Sequence, residues 1–116
     1  MLEMTVAEMK MTKSFVECVV DGKLYNLSKS YLLWAINEVK RWQYSSSTNF
    51  TAKLIGLIAK ADSSNKRKIF KGFPEEVIAY LMWYTKIAFG KKYEGDQEFF
   101  EAMRELLDTE REVENE

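Results

Sequence analysis

The feature that most constrains the fold is a series of helix-start signals that recurs along most of the chain. Each signal is a residue whose side chain can cap a helix, or a proline whose fixed backbone angle suits the first helical position. Each segment between two signals is therefore predicted to form one helix. The signals are Ser28 or Ser30, Thr48 or Asn49, Asp62 or Ser63, Pro74, and Asp96.

Apolar residues repeat at helical spacing after these signals, which supports the same division. We expect helices over about residues 30–44, 50–61, 63–71, 74–89 and 97–107, with Gly72 and Gly90 following the third and fourth. Gly56 lies inside the second helix, where a small residue would let a neighbouring element approach closely. The clearest stripe is that of the second helix, and it consists of Phe50, Leu54, Leu57, Ile58 and Ala61.

A β-hairpin is predicted over residues 14–28, before the first helix. The dipeptide Asp21-Gly22 is a strong signal for a type I′ turn, and strand-forming residues flank it on both sides. The alternation of apolar and polar residues is partial, so we expect one buried and one semi-exposed face. Residues 1–13 are interpreted as a flexible or helical start, and residues 108–116 as a frayed acidic tail.

These elements predict the class of the fold. The chain has 116 residues, which suits a single domain over residues 1–116. We expect a mostly α (α+β) protein, in which an N-terminal β-hairpin is followed by a compact bundle of four to five helices. Residues 29–107 would form the helical core, and the short connections favour antiparallel neighbours.

The residue types that are missing limit the chemistry. Histidine is absent and cysteine occurs once, as Cys18. The chain therefore lacks the commonest general base and zinc ligand, and it can form no Ser-His or Cys-His pair. We expect a protein that is not an enzyme, holds no cofactor or metal, and works in the reducing cytoplasm. The N-terminal residues do not form a signal peptide, and no segment is predicted to span a membrane.

Charge is segregated along the chain, although the formal net charge is −1. Residues 60–92 carry eight Lys or Arg and three acids, whereas residues 93–116 carry ten acids and two arginines. A basic segment, comprising Lys66, Arg67, Lys68 and Lys71, could contact phosphates or an acidic protein surface. The alternative is a solvated helix face that is partly balanced by the acidic C-terminal end.

The predicted helix after Pro74 is apolar on nearly all sides. Tyr80, Trp83 and Tyr84 form a second apolar stripe beside the core stripe. Such a helix is either central in the domain or presents one face to a partner. If they are exposed, Trp83 and Tyr84 are the best candidates for contacts that dominate binding energy.

Residues 49–80 resemble a group of small uncharacterised proteins that phages and prophages of bacteria encode. The shared pattern is Asn49-Phe50-Thr51, then Lys60-Ala61-Asp62, then Asn65 in a basic helix, and Phe73-Pro74-Glu75-Glu76-Val77. The resemblance implies a phage or mobile-element accessory protein that acts in the cytosol of the bacterial host. Proteins of this kind often bind and block a host factor, and inhibitors of defence nucleases, including anti-CRISPR proteins, are similar in size. The resemblance implies no catalytic residue.

Three functions remain open from the sequence. The first is a non-enzymatic inhibitor or adaptor that binds a host protein or ribonucleoprotein through the basic segment and through Tyr80, Trp83 and Tyr84. The second is a weak nucleic-acid-binding protein without sequence preference, which would use the basic segment. The third is a structural or assembly module that associates with itself, most simply as a homodimer.

Overall fold

The computed structural model describes residues 3–108 and contains an antiparallel sheet followed by helices. The sheet has three strands, β1 (Val6–Met11), β2 (Phe15–Val20) and β3 (Lys23–Ser28), in the order β1-β2-β3. The first four helices are α1 (Lys29–Tyr44), α2 (Phe50–Lys60), α3 (Ser63–Gly72) and α4 (Pro74–Thr85). A short hairpin of β4 (Ile87–Ala88) and β5 (Lys91–Lys92) then leads to the fifth helix, α5 (Asp96–Leu107). The predicted α+β class is confirmed.

The predicted hairpin is confirmed as β2 and β3, which pair from Phe15 with Ser28 to Val20 with Lys23. Asp21 and Gly22 have φ angles of 50° and 83°, the left-handed values that a type I′ turn requires. The inner face of β2 consists of Val16, Cys18 and Val20, which are almost fully buried. One face of the hairpin therefore belongs to the core, as expected.

The prediction of a flexible or helical start is wrong for residues 6–11, which form the third strand of the sheet. β1 pairs antiparallel to β2, and its register shifts between Ala7 and Lys10, so that two residues lie opposite Cys18. One of those two is Glu8, whose φ is 51°. This β-bulge interrupts the alternation that would identify a strand in the sequence. β1 is also an edge strand of the sheet, and the bulge makes its free edge irregular, which hinders pairing with another chain.

The helix starts follow the predicted capping residues. The side chain of Ser28 accepts a hydrogen bond from the backbone N–H of Tyr31, and Asn49 accepts one from Ala52. Asp62 caps α3 in the same way, and Pro74 is the first residue of α4. Each cap satisfies an N–H group that the helix itself leaves unpaired. Local sequence therefore determines where these four helices begin.

The end of α4 differs from the prediction, which extended the helix to about residue 89. α4 ends at Thr85, and Lys86 follows with a φ of 58°. The hydroxyl of Thr85 bonds to the carbonyl of Leu81, and it accepts a hydrogen bond from the N–H of Ile87. The chain then turns back through Phe89 and Gly90, which both have positive φ angles. A two-stranded hairpin therefore replaces the last turn of the predicted helix.

Asp96 has a different role from the predicted cap of the last helix. Gly95 occupies the N-cap position without a side-chain hydrogen bond, and Asp96 is the first helical residue. The Asp96 carboxylate pairs with the Lys86 ammonium at 2.8 Å and accepts a hydrogen bond from the hydroxyl of Tyr44. Burial opposes ionisation of Asp96, but the hydrogen bonds from Lys86 and Tyr44 outweigh it and lower its pKa. Asp96 thus ties the start of α5 to the ends of α4 and α1.

The core lies between the sheet and the helices, and α1 and α4 are its central elements. Both helices pack against each other, and α1 also packs against α2 and α5. Leu32, Ile36, Val77 and Ile78 are completely or almost completely buried there. No helix within residues 3–108 is long and apolar enough to cross a membrane. The acidic tail predicted over residues 108–116 lies outside the described residues beyond Asp108.

Candidate partner-binding surface

The aromatic residues of α4 form the centre of a ring cluster, and only one of them is largely exposed. Tyr80 is 6% exposed, and its ring lies 5.8 to 6.2 Å from those of Trp42, Trp83 and Tyr84. Trp83 is half-buried and contacts Trp42 edge to face at 5.8 Å. Tyr84, by contrast, is 67% exposed. Of the three aromatic residues predicted to contact a partner, Tyr84 is therefore the one that is largely exposed at the surface.

Two residues of the basic segment make contacts within the domain. The ammonium of Lys66 donates a hydrogen bond to the carbonyl of Ala61 and lies 6.0 Å from the ring centre of Tyr80. The guanidinium of Arg67 forms a two-point contact with the carboxylate of Asp21, at 2.8 and 3.3 Å. This ion pair lowers the pKa of Asp21 and fastens α3 to the β2–β3 turn. Both cations therefore contribute to holding α3 in place.

The other two residues of the basic segment, Lys68 and Lys71, are exposed. Lys60, at the end of α2, is exposed as well. Among residues 3–108, no ion pair is formed by any of these three lysines. Their positive charge is consequently available to an external partner.

The most informative surface of the domain lies along α2, where the sequence predicted an apolar helical stripe. Leu54 and Ile58 of this stripe are buried, whereas Phe50 and Leu57 are 68% and 57% exposed. Ile55 is fully buried instead. The buried face of α2 is therefore rotated relative to the predicted stripe, and one edge of that stripe faces solvent. Two large apolar side chains of one helix face are thereby left uncovered.

Leu57 faces a groove between α2 and α3 that has an apolar floor and charged sides. Leu57, Ala61 and Ile69 supply the apolar part of the groove, whereas Lys60 and Lys68 line it with positive charge. At one end of the same surface, the ring of Phe50 packs 6.0 Å from that of Phe73. We refer to this surface as the α2–α3 face, and it comprises Phe50, Leu57, Lys60, Ala61, Lys68 and Ile69.

One acidic residue, Asp62, also lines the groove. Its carboxylate accepts a hydrogen bond of 2.8 Å from the backbone N–H of Asn65 and lies at the positive end of α3. Its charge is thus partly offset by the helix terminus, whereas the lysines have no such partner among the described residues. The α2–α3 face therefore has a net positive character.

The polar groups on and beside the α2–α3 face are of three kinds. They are ammonium groups, one amide from Asn65 and one capped carboxylate, and none of these is paired as nucleophile and base. The thiol of Cys18 lies in the core, where burial raises its pKa to about 11. Within residues 3–108, no group of three acidic or Cys side chains is placed to hold a metal ion.

Comparison with known proteins adds no assignment to this α+β domain. The chain matches no family model, no curated protein and no solved structure.

Proposed function

We propose that this protein is a non-enzymatic accessory protein of a phage or mobile element, and that it binds and blocks a host protein or ribonucleoprotein. The α2–α3 face would be the contact surface, and the partner would be acidic there. A defence nuclease, in the manner of an anti-CRISPR inhibitor, is the class of target that the resemblance of residues 49–80 favours. The observation that carries the proposal is the exposure of Phe50 and Leu57 on the same surface as Lys60 and Lys68, which form no ion pair within residues 3–108.

The apolar part of the α2–α3 face supports a protein partner. Leaving a leucine and a phenylalanine in water forgoes about 1–2 kcal/mol of hydrophobic free energy for each. Single exposed apolar residues are common, but here Leu57 shares a groove with Ala61 and Ile69. A side chain inserted into this groove would recover that free energy. Well-packed pockets from which water is excluded are where most of the binding energy of a protein interface is concentrated.

The charged part of the face supports an acidic partner. Lys60 and Lys68 line the groove, and Lys71 is exposed later on α3. Lysines at the rim of an interface raise the rate of association with an oppositely charged surface more than they raise affinity. Binding would therefore slow as the salt concentration rises, while the apolar contacts would determine how long the complex lasts.

Two observations favour a protein over bare nucleic acid as the partner. Arginine is the side chain best suited to two-point contacts with phosphate, and the one arginine of α3 is engaged by Asp21. In addition, the apolar side chains that line the groove are aliphatic, and Phe50 is the single aromatic member of the α2–α3 face, whereas surfaces that bind single-stranded nucleic acid stack successive bases on several aromatic side chains. The basic segment remains the surface that nucleic acid would use if the proposal is wrong.

The experiment is an affinity pull-down of the tagged chain from bacterial lysate, with and without nuclease treatment, with quantification of bound proteins by mass spectrometry. Three variants are compared with the wild type. Leu57→Ser removes the apolar contact, Lys68→Glu reverses a charge on the face, and Leu24→Ser is the matched control. Leu24 is a good control because it is 65% exposed but lies on β3, in another part of the molecule.

The proposal predicts a protein partner that resists nuclease and is recovered with wild type and with Leu24→Ser. Leu57→Ser should reduce its recovery at least about ten-fold, as expected for a central apolar contact. The purified partner should also lose activity when the wild-type chain is added. Recovery that disappears with nuclease would shift the assignment to nucleic acid. Equal losses for Leu24→Ser and Leu57→Ser would exclude the α2–α3 face as the contact surface.

A further inference from the structure

A second surface feature lies between the N-terminal turns of α1 and α4. It is a shallow recess lined by Ser28, Ser30, Tyr31, Trp34 and Glu75. Tyr31 and Trp34 are three residues apart on α1, so their rings are neighbours on one helix face. The ring centroids are 5.0 Å apart, and the planes are inclined at 45°. The two rings thus form an open aromatic corner.

The aromatic corner is exposed, and its rings take part in no cation–π contact within residues 3–108. Tyr31 and Trp34 are 43% and 40% exposed, although each could bury a large area. Other rings of the protein are already covered by lysines, such as Trp83 by Lys86 at 4.5 Å. The cation–π contacts found within residues 3–108 involve the rings of Phe100, Tyr80, Trp83 and Tyr93, and not those of Tyr31 or Trp34. The negative faces of these two rings are therefore open to an external cation.

Two carboxyl groups stand beside the aromatic corner. Glu75 lines the recess itself. Glu76 lies beneath it and is 3% exposed, and its Oε2 accepts a hydrogen bond of 3.1 Å from the hydroxyl of Tyr31. The other oxygen, Oε1, is buried without a hydrogen-bond partner among residues 3–108. Burial raises the pKa of Tyr31, and so do the charge and hydrogen bond of Glu76 and the charge of Glu75.

We propose that this recess binds an arginine side chain of a protein partner. The guanidinium would stack on the Trp34 ring and donate hydrogen bonds to the Glu75 carboxylate. The hydroxyl groups of Ser28 and Ser30, whose oxygens are 3.3 Å apart, provide further acceptors at the edge. Arginine fits better than lysine, because its planar group can stack on a ring and still present a fork of N–H donors to a carboxylate.

This site is independent of the α2–α3 face. The recess involves α1, the residue before it and the start of α4, whereas the face involves α2 and α3. The recess would bind a positively charged group, whereas the α2–α3 face would bind a negatively charged surface. A partner that used both surfaces would carry an acidic patch and a separate exposed arginine, which would fix its orientation on the domain.

The test uses short peptides in place of the partner. An acetylated and amidated Gly-Arg-Gly peptide is titrated into the full chain, and the indole N–H signals of the three tryptophans are followed by NMR. The same peptide with citrulline in place of arginine is the matched neutral control. We expect millimolar binding that shifts one indole signal, which Trp34→Phe identifies as that of Trp34. Citrulline and Glu75→Gln should each weaken binding at least about five-fold, because each removes a charge-assisted contact.

The outcomes separate this inference from the proposed function. Leu57→Ser should bind the arginine peptide as the wild type does, even if it loses the protein partner. Equal binding of the arginine and citrulline peptides would overturn the inference, and so would unchanged binding by Glu75→Gln. A Trp34 signal that does not respond to the arginine peptide would overturn it as well. Trp34→Phe keeps an apolar ring in place, so its fold can be verified by the unchanged signals of the other two indoles.

Discussion

The indole nitrogen of Trp42 lies 3.3 Å from the point that a β-carbon on Gly56 would occupy. Trp42 belongs to α1 and Gly56 to the middle of α2, so the absent side chain lets the two helices meet through an indole ring. The same ring contacts Tyr80 and Trp83 on α4. Gly56 therefore allows three helices to share one aromatic cluster, as the sequence had suggested for a small residue at this position.

Substitution at Gly56 should show how tightly this contact is packed. Gly56→Ala replaces a poor helix former with a good one, and this replacement alone would add about 1 kcal/mol of stability. The new methyl group also requires the indole of Trp42 to move by a few tenths of an ångström. The two effects oppose each other, and we expect a net change within about 1 kcal/mol. Gly56→Leu should destabilise the domain by about 2–3 kcal/mol, because the larger side chain must displace Trp42.

Urea denaturation followed by tryptophan fluorescence measures both changes in the free energy of unfolding. Gly72→Leu serves as the control, because a β-carbon at Gly72 would meet nothing within 4 Å. If Gly56→Leu were as stable as the wild type, the contact between α1 and α2 would not have the described geometry.

Trp83 and Tyr84 should differ in their importance for folding. Trp83 is half-buried among Trp42, Tyr80 and Lys86, so Trp83→Ala should destabilise the domain by about 2–4 kcal/mol. Tyr84 is 67% exposed, and Tyr84→Ala should cost less than about 1 kcal/mol. Thermal unfolding of the two variants tests this difference. A stable Trp83→Ala variant together with an unstable Tyr84→Ala variant would contradict the arrangement of the cluster.

The thiol of Cys18 should be almost unreactive in the folded protein. It is 0% exposed, and burial raises its pKa to about 11. Because the thiolate is the reactive form, a thiol reagent at mildly alkaline pH should react more than about a hundred-fold more slowly than with an exposed cysteine. The reaction with Ellman's reagent, monitored by absorbance, provides the rate. The same chain in guanidinium chloride should react at the ordinary rate, and equal rates in both conditions would show that Cys18 is accessible.

The sequence predicted the features that depend on a few neighbouring residues. Asn49 caps α2 and Pro74 opens α4 because a helix start needs only the residues of its first turn. The Asp21-Gly22 turn likewise requires only two left-handed residues. These signals were sufficient for the α+β class and for the order of the β2–β3 hairpin and the five helices.

The features that depend on distant partners were not predictable in the same way. β1 exists because residues 6–11 pair with β2, and its bulge at Glu8 hides the strand pattern. The end of α4 depends on Lys86, whose ammonium is held by Asp96 ten residues later. For the candidate site, sequence identified Lys68 and Lys71 but missed Phe50 and Leu57. Helical spacing shows which apolar residues lie on the same face of a helix. It does not show where a neighbouring helix stops covering that face.

Glu76 should make the stability of the domain depend on pH. Its carboxyl group is buried, and burial raises its pKa above the ordinary glutamate value, although the hydrogen bond from Tyr31 lowers it in part. The folded state therefore binds this proton more tightly than the unfolded state does. The resulting stabilisation is fully present below the ordinary glutamate pKa and is lost as the pH rises through the raised value.

Glu76→Gln removes this titration while keeping the shape of the side chain and an acceptor for the Tyr31 hydroxyl. The wild type should lose stability relative to Glu76→Gln as the pH rises from about 4 to 7, with a slope of at most about 1.4 kcal/mol per pH unit. Urea denaturation of both proteins across this range gives the difference, in which the titration of groups that do not interact with Glu76 cancels. Glu75→Gln, one residue earlier on α4, is the control for losing a charge in the first turn. Parallel pH profiles for the wild type and Glu76→Gln would mean that Glu76 has the same proton affinity in the folded and unfolded states, and that its burial is relieved by solvent.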